Sequence, residues 1–283
     1  MLALAFGVKG SAMPRAQARR ALAEKRPLLV LSVLAALAYY YLRAAPVGEL
    51  YLILLRGSAV LALALYAWLR HSGQDARLLA IALTIASAGE MALRLDLGAG
   101  VALWFGHHLV ALMLYLRHRR TAMSQTQKWT AVALLLGTPL FVALLPADPR
   151  LTQPAAFYGL ALGAMAGAAW TSSFPRYRVG AGAVLVVIAH LLSAAELGVL
   201  AGSVAAQVFI WPLTYLGLLL VATGVTRTLH KREPELRLVS SRESSRGRWR
   251  LPRRSCTRIA TSFASWQNDR DCLGRSCLGR GHP

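Results

Sequence analysis

Eight apolar stretches, separated by short polar connections, occupy residues 27–226 of this chain. A helix that crosses the hydrocarbon core of a bilayer needs roughly 20 apolar residues, with a range of about 17–25. Because lipid cannot hydrogen-bond free backbone groups, helices are the expected spanning structure. The pattern predicts an all-α, polytopic membrane helix bundle with about eight transmembrane helices. The predicted spans are Pro27–Leu42, Leu50–Leu69, Ala76–Leu93, Leu97–Leu116, Trp129–Leu145, Ala155–Thr171, Val179–Leu200 and Val204–Thr226.

Basic residues alternate between the connections and indicate how the helices are oriented. Arg and Lys are concentrated before the first span, in every second connection and after Thr226. The connection at 117–128 holds four of them, whereas the one around Gly202 holds none. Cytoplasmic loops collect Lys and Arg, so this distribution predicts an even number of spans with both termini in the cytoplasm.

The formal net charge of +20 would suggest a nucleic-acid partner in a soluble protein. Here the excess lies in predicted cytoplasmic loops and termini, where membrane orientation and anionic lipid headgroups account for it. We therefore predict membrane lipids as partners and no nucleic acid, with the oligomeric state left open. Because the chain shows no eukaryotic sorting signal, a bacterial inner (plasma) membrane is the expected location.

Both ends of the chain differ in composition from the apolar region. Residues 1–26 are basic and read as a segment that lies on the inner membrane surface. Residues 227–283 form a basic tail with little periodicity, for which disorder is the default expectation. The three cysteines all lie in this tail and include no CxxC pair, so no disulfide framework or zinc site is predicted.

Several ionisable side chains interrupt the predicted spans, where burial in lipid makes them costly and therefore functional candidates. From the inner ends of their spans, Glu90 lies at roughly 20 Å, His190 at roughly 17 Å, His108 at roughly 14 Å and Tyr215 at roughly 18 Å, using the α-helical rise. Four helices thus place protonatable groups in one layer near mid-membrane. This common depth predicts a shared polar pocket.

The chemistry of these residues favours acid–base catalysis, and packing roles are the alternative. A carboxyl group held away from water suits a general acid, and an imidazole suits a base or proton relay. Glu90 shares a helix face with Ser87 and Arg94, so it can also pair with Arg94, or with His190, simply to hold the bundle.

For other residues in the spans, a structural role in helix packing or hydrogen bonding is an alternative to a functional role. His107 and His108 point about 100° apart, so one of them can face the pocket while the other bonds a carbonyl. Tyr215 can be ordinary helix packing. Gly159, Gly163 and Gly167 form two GxxxG steps, which favour close helix packing over ligand binding. No compact metal motif appears, and no metal ion or organic cofactor is predicted.

At these positions residues 27–226 resemble the lysoplasmalogenase-like (YhhN-like) membrane protein family. That family has a lysine–proline pair, a glycine–aspartate pair on the next helix, and then a glycine, an aromatic residue and a histidine at four-residue steps. Gly89-Glu90 stands where glycine–aspartate would be, and Arg56-Gly57 replaces lysine–proline. The next pattern is matched in type and spacing by Gly100, Trp104 and His108.

The second half of the family pattern is matched in spacing more than in chemistry. Gly182-Ala183 leads, at the right distance, to Ala189-His190 where the family has serine–aspartate. Thr214-Tyr215 fits the last helix, and Leu219 stands where a glutamine would be. The carboxylate is thus kept at Glu90, lengthened by one methylene group, and lost at His190.

The resemblance implies hydrolysis of the vinyl ether bond of lysoplasmalogens, a class of lysophospholipid, to a fatty aldehyde and a glycerophospho-head group. Under this reading Glu90 is the acid and charge stabiliser, His190 deprotonates water and His108 relays or orients. The residues expected to contact substrate are Tyr215, Arg94, Ser87 and Trp104. Two alternatives stay open: a lipid-binding or lipid-moving bundle that has lost the chemistry, and a proton-coupled carrier of small solutes, for which inverted repeats are expected but not evident.

Overall fold

The computed structural model describes residues 26–70 and 73–248, with side chains described for 27–70 and 73–231. These ranges form an all-helical structure without β-strands; two isolated β-bridges join Arg119 to Ser172 and Pro146 to Gly198. The eight α-helices of this part of the chain are α1 Arg26–Leu42, α2 Glu49–Arg70, α3 Gln74–Ala92, α4 Leu97–Arg117, α5 Gln125–Leu144, α6 Thr152–Thr171, α7 Ala181–Glu196 and α8 Val204–Arg248. A 3₁₀ turn, Pro149–Leu151, precedes α6, and a π-helical turn, Arg176–Gly180, precedes α7.

Each predicted span overlaps one of these helices, and five of the described helical segments are long and apolar enough to cross a membrane. The segments are Glu49–Arg70, Leu97–Arg117, Gln125–Leu144, Arg176–Glu196 and Val204–Lys231. Helix α1 is apolar but shorter, α3 carries Asp75, Arg77 and Glu90, and α6 consists largely of alanine and glycine. The number of crossings and the cytoplasmic position of both termini therefore stay predictions.

The last helix continues well past the predicted end of its span. A disordered tail was predicted from residue 227, whereas α8 remains helical to Arg248. Residues 227–238 are rich in Leu, Arg, Lys and Glu, which favour helix intrinsically, so the helix continues beyond the apolar span. The rest of the predicted tail and the predicted surface segment before Arg26 lie outside the described residues.

The helices pack in a closed circuit. Successive contacts run from α1 to α2, α3, α4, α6 and α7. Helix α8 closes the circuit, because Gly217 meets Gly182 of α7 and Trp211 meets Tyr39 of α1. Helix α5 lies outside it, packed along α6 and against α7.

The outer surface of the described helices is apolar. Leu136, Phe141 and Leu144 of α5 are each more than half exposed, and the other helices expose leucine, valine and isoleucine in the same way. Apolar exposure on this scale is unfavourable in water and favourable in lipid. The protein is therefore an integral membrane protein.

Close helix packing at the glycines of α6 is confirmed. A Cβ atom at Gly159 would lie 2.6 Å from Cα of Pro139, and one at Gly167 would lie 3.1 Å from the carbonyl oxygen of Ala131. Gly163 approaches the backbone of Leu134 in the same way. The glycine face therefore holds α5 against α6.

Candidate functional site

The charged centre of the bundle is an ion pair between α2 and α3. The Arg56 guanidinium donates from Nε to Oε2 of Glu90, and the two side chains are 7% and 1% exposed. Two opposite charges at membrane depth lower each other's cost, because neither is left unpaired in a medium of low dielectric constant. The partner of Glu90 is therefore Arg56, and not Arg94 or His190 as the sequence suggested.

Aromatic side chains of α1 and α8 surround the guanidinium of Arg56. It lies 4.9 Å from the ring centroid of Trp211 and 5.6 Å from that of Tyr39, within cation–π range. Arg56 Nη1 also donates to the Tyr39 hydroxyl over 3.4 Å, and Arg94 Nη2 donates to the same oxygen over 3.1 Å. Arg94, predicted to contact substrate, thus reaches the ion pair through Tyr39.

A second polar cluster joins α4, α6 and α7. The hydroxyl oxygen of Tyr158 lies 3.1 Å from Nε2 of His108 and 3.0 Å from Nδ1 of His190. The structure thus brings together the two histidines that the sequence singled out, and it does so through a tyrosine that the sequence analysis did not name. His107 turns away, with Nδ1 2.8 Å from the carbonyl oxygen of Ala82. The prediction that one of the adjacent histidines bonds a carbonyl is confirmed.

Trp104 connects the two clusters. Its ring centroid lies 4.6 Å from that of His190 and 5.6 Å from that of His108, and the indole is fully buried. A Cβ atom at Gly89 would lie 2.9 Å from Trp104 Cδ1, so the residue before Glu90 packs directly on the indole. The histidine cluster and the ion pair therefore form one continuous site.

Three nitrogen atoms of this site are buried without a hydrogen-bond partner among the described residues. They are Nε1 of Trp104, Nδ1 of His108 and Nε2 of His190. Buried polar atoms are nearly always paired in folded proteins. Their concentration on three rings in mutual contact marks this part of the site for an interaction with a further polar group.

Tyr215 and Ser87 lie at the edges of the site and are engaged with the protein. The Tyr215 hydroxyl is 2.8 Å from the Ser32 hydroxyl, and its ring stacks on Trp211 with centroids 5.9 Å apart. The Ser87 hydroxyl donates to the carbonyl oxygen of Gly57, next to Arg56. Both side chains hold helices together at the site in this structure, and their predicted contact with substrate stays a prediction.

Sequence reasoning missed Arg56, Tyr39 and Tyr158 as members of the site. Arg56 carried a usable signal, because an arginine inside an apolar span must find a partner. Tyrosine gives no comparable signal, since it is common in packed helices. For metal binding, the part of the chain that the structure describes contains no group of three or more His, Cys, Asp or Glu side chains placed to hold an ion.

A model of the YhhN family matches residues 51–225. The chain belongs to the YhhN family. Comparisons with curated proteins and with solved structures gave no match. The matched range includes Arg56 and Glu90 as well as Trp104, His108, Tyr158 and His190, so both clusters of the site lie within the YhhN region.

Proposed function

We propose that this YhhN protein is a membrane-embedded hydrolase that cleaves the vinyl ether bond of lysoplasmalogen-type lipids to a fatty aldehyde and a glycerophospho-head group. The observation that carries the proposal is the pair His108 and His190, bridged by Tyr158, with one ring nitrogen of each lacking a partner among the described residues. Trp104 contacts both rings and packs on Gly89, the residue before Glu90. Family membership supports it, because the resemblance to lysoplasmalogenases implies this reaction.

Vinyl ether hydrolysis makes two demands that the site can meet. A proton must reach the β-carbon of the vinyl ether, which leaves positive charge shared between the other vinyl carbon and the ether oxygen. Water then adds to that carbon and loses a proton, and the hemiacetal collapses to aldehyde and alcohol. As in glycoside cleavage, the catalyst needs an acid and a group that stabilises the cation or activates water.

The residues divide these roles in a way that differs from the sequence-based assignment. Because the carboxylate of Glu90 already accepts from the Arg56 guanidinium, its role in this proposal is to stabilise the developing cation instead of delivering the proton. One neutral imidazole of the pair takes up a proton when substrate binds, gives it to carbon as imidazolium and then recovers one from the attacking water. No group outside His108, His190 and Glu90 is then needed to balance the reaction.

Aldehyde release from purified, full-length protein in lipid nanodiscs tests the proposal. We expect turnover of a 1-alkenyl lysophospholipid and none of the saturated 1-alkyl analogue, which lacks the double bond that must be protonated. Glu90→Gln and His190→Ala should each lower kcat at least 100-fold, given the usual contribution of general acid–base groups. His230→Ala, at an exposed position of α8, is the matched control and should keep wild-type turnover.

The proposal fails if Glu90→Gln and His190→Ala both keep wild-type turnover, or if the wild-type protein releases no aldehyde. The second candidate function, lipid binding without chemistry, is favoured by the ion pair itself, because Arg56 already neutralises the carboxylate of Glu90. It predicts saturable binding of both the alkenyl and the alkyl lysolipid with no aldehyde from either.

A further inference from the structure

The Tyr158 hydroxyl carries one hydrogen atom and faces two imidazoles. Its oxygen lies 3.1 Å from His108 Nε2 and 3.0 Å from His190 Nδ1. A phenol donates one hydrogen bond, and its oxygen accepts others. When Tyr158 donates to one neutral imidazole, it must therefore accept an N–H bond from the other.

This constraint couples the tautomers of the two histidines. If Tyr158 donates to His190, Nδ1 of His190 is the acceptor, so that ring carries its hydrogen on Nε2. His108 must then donate to the phenol oxygen from Nε2, so it carries its hydrogen on Nε2 as well. If Tyr158 donates to His108, both rings carry it on Nδ1. In each state the two rings have the same tautomer. In each state, too, the nitrogens that do not face Tyr158 are one donor and one acceptor.

Those two nitrogens and the indole Nε1 of Trp104 are the three atoms of this site that are buried without a partner within the described ranges. The rings of His108 and His190 have centroids 5.3 Å apart, and Trp104 contacts both. Indole is a donor only. The three nitrogens therefore offer two donors and one acceptor, whichever tautomer is present.

A hydroxyl group matches this set atom for atom, since it has two lone pairs and one hydrogen. An anion would leave the acceptor nitrogen unpaired, and a metal cation would be opposed by the indole N–H. We propose that Trp104, His108 and His190 bind one hydroxyl group, of a water molecule or of a lysolipid, and that Tyr158 is the positioning residue that decides which imidazole donates to it. The inference rests on the proposed function only for the role of that group as attacking water.

Nitrogen NMR of the full-length protein in nanodiscs tests the tautomer coupling. In ¹⁵N-histidine-labelled wild-type protein, we expect the ring nitrogens of His108 and His190 to report one shared tautomer. His107, whose Nδ1 faces the Ala82 carbonyl and must donate, supplies the internal reference for an Nδ1–H ring. Opposite tautomers at His108 and His190, or imidazolium in both at neutral pH, would overturn the inference without any variant being made.

Tyr158→Phe removes the hydroxyl and keeps the ring. We expect it to uncouple the two histidines, so that their ¹⁵N shifts move toward independent mixtures of tautomers. The matched control is Tyr115→Phe, a buried tyrosine on α4 two helical turns beyond His108, which should leave both spectra unchanged. A Tyr158→Phe spectrum identical to wild type would show that the phenol does not set the tautomers.

The source of the hydroxyl group is separated by two probes. For water, magnetisation transfer from solvent to the Trp104 indole N–H should be present in nanodiscs of saturated diacyl lipid. For a lipid hydroxyl, the indole resonance should shift only when a 1-alkyl lysophosphocholine with a free 2-hydroxyl is added, and not with its 2-O-methyl analogue. If both effects are absent, the proposed hydroxyl-binding site is wrong. These NMR measurements need no turnover, so they test the hydroxyl-binding site independently of the proposed hydrolase activity.

Discussion

At the scale of single residues, the properties of this YhhN protein depend on how each buried polar atom is paired. Arg56 and Glu90 neutralise each other, while the hydroxyl of Tyr39 receives hydrogen bonds from Arg56 and Arg94. A buried ion pair adds little net stability, but removing one of its partners leaves the other charge buried without a counter-charge. The cost of a substitution here therefore depends on whether one charge or both are removed.

Arg56→Met tests this asymmetry. We expect it to lower the free energy of unfolding by about 3–5 kcal/mol, because Glu90 is left buried without a cation. The double variant Arg56→Met/Glu90→Leu should regain part of that loss, since no charge remains. Unfolding by SDS in mixed micelles gives the comparison.

Arg94→Met is the matched control for the loss of an arginine near Tyr39. Arg94 is exposed and donates one hydrogen bond to the protein, so the expected cost is about 1 kcal/mol. An Arg56→Met variant no less stable than Arg94→Met, or a double variant less stable than Arg56→Met, would contradict the assignment of Arg56 as the partner of Glu90.

At the scale of helices, close backbone approach decides which side chains meet. Gly182 of α7 and Gly217 of α8 face each other, and a Cβ atom on either would lie 2.7 Å from the carbonyl oxygen of the other. About two turns beyond Gly182, α7 carries His190, and within the two turns before Gly217, α8 carries Trp211 and Tyr215. The glycine contact therefore sets the spacing between the histidine cluster and the aromatic side chains around Arg56.

Gly182→Ala should move α7 away from α8. We expect a loss of about 1–3 kcal/mol in unfolding free energy, as for overpacked cores, together with reduced aldehyde release. Gly106→Ala is the matched substitution, because a Cβ atom there meets Ile85 at an ordinary 3.8 Å. Its stability should equal or slightly exceed that of wild type, since alanine favours helix over glycine. Equal stability of the two variants would argue against the close contact.

At the scale of the whole molecule, the circuit of helices buries Arg56 and Glu90 in protein, while the outer surface of the same helices presents apolar side chains to lipid. The orientation of the helix bundle in the membrane is predicted from the basic connections, which indicate an even number of crossings. We therefore expect the three native cysteines on the cytoplasmic side and the connection between α7 and α8 on the other.

Cysteine accessibility in intact cells tests this orientation. A membrane-impermeant maleimide should not label the native cysteines until the cells are permeabilised. In a background without Cys256, Cys272 and Cys277, Ser203→Cys should be labelled from outside, and Thr121→Cys only after permeabilisation. Labelling of the native cysteines in intact cells would refute the cytoplasmic tail, and protection of Ser203→Cys would refute the predicted outer position of the connection between α7 and α8.

The sequence by itself determined the helices and the depth of the candidate residues. Helix positions follow from apolar length and depth from a fixed rise per residue, and both are local properties of the chain. The sequence therefore predicts a layer of Glu90, His108, His190 and Tyr215, and the structure brings two of these residues, His108 and His190, together through Tyr158. The extension of α8 to Arg248 was not predictable, because the apolar pattern that identifies a span says nothing about where a helix ends beyond that span.

Only the tertiary structure decided which of these residues meet. Arg56 and Glu90 are 34 residues apart, and Tyr158 lies 50 residues from His108 and 32 from His190. Their pairing depends on the order and rotation of helices around the circuit, which close glycine contacts fix and helical periodicity alone does not. Periodicity assigns a side chain to a face of its own helix, whereas the partner opposite that face is chosen by packing between helices.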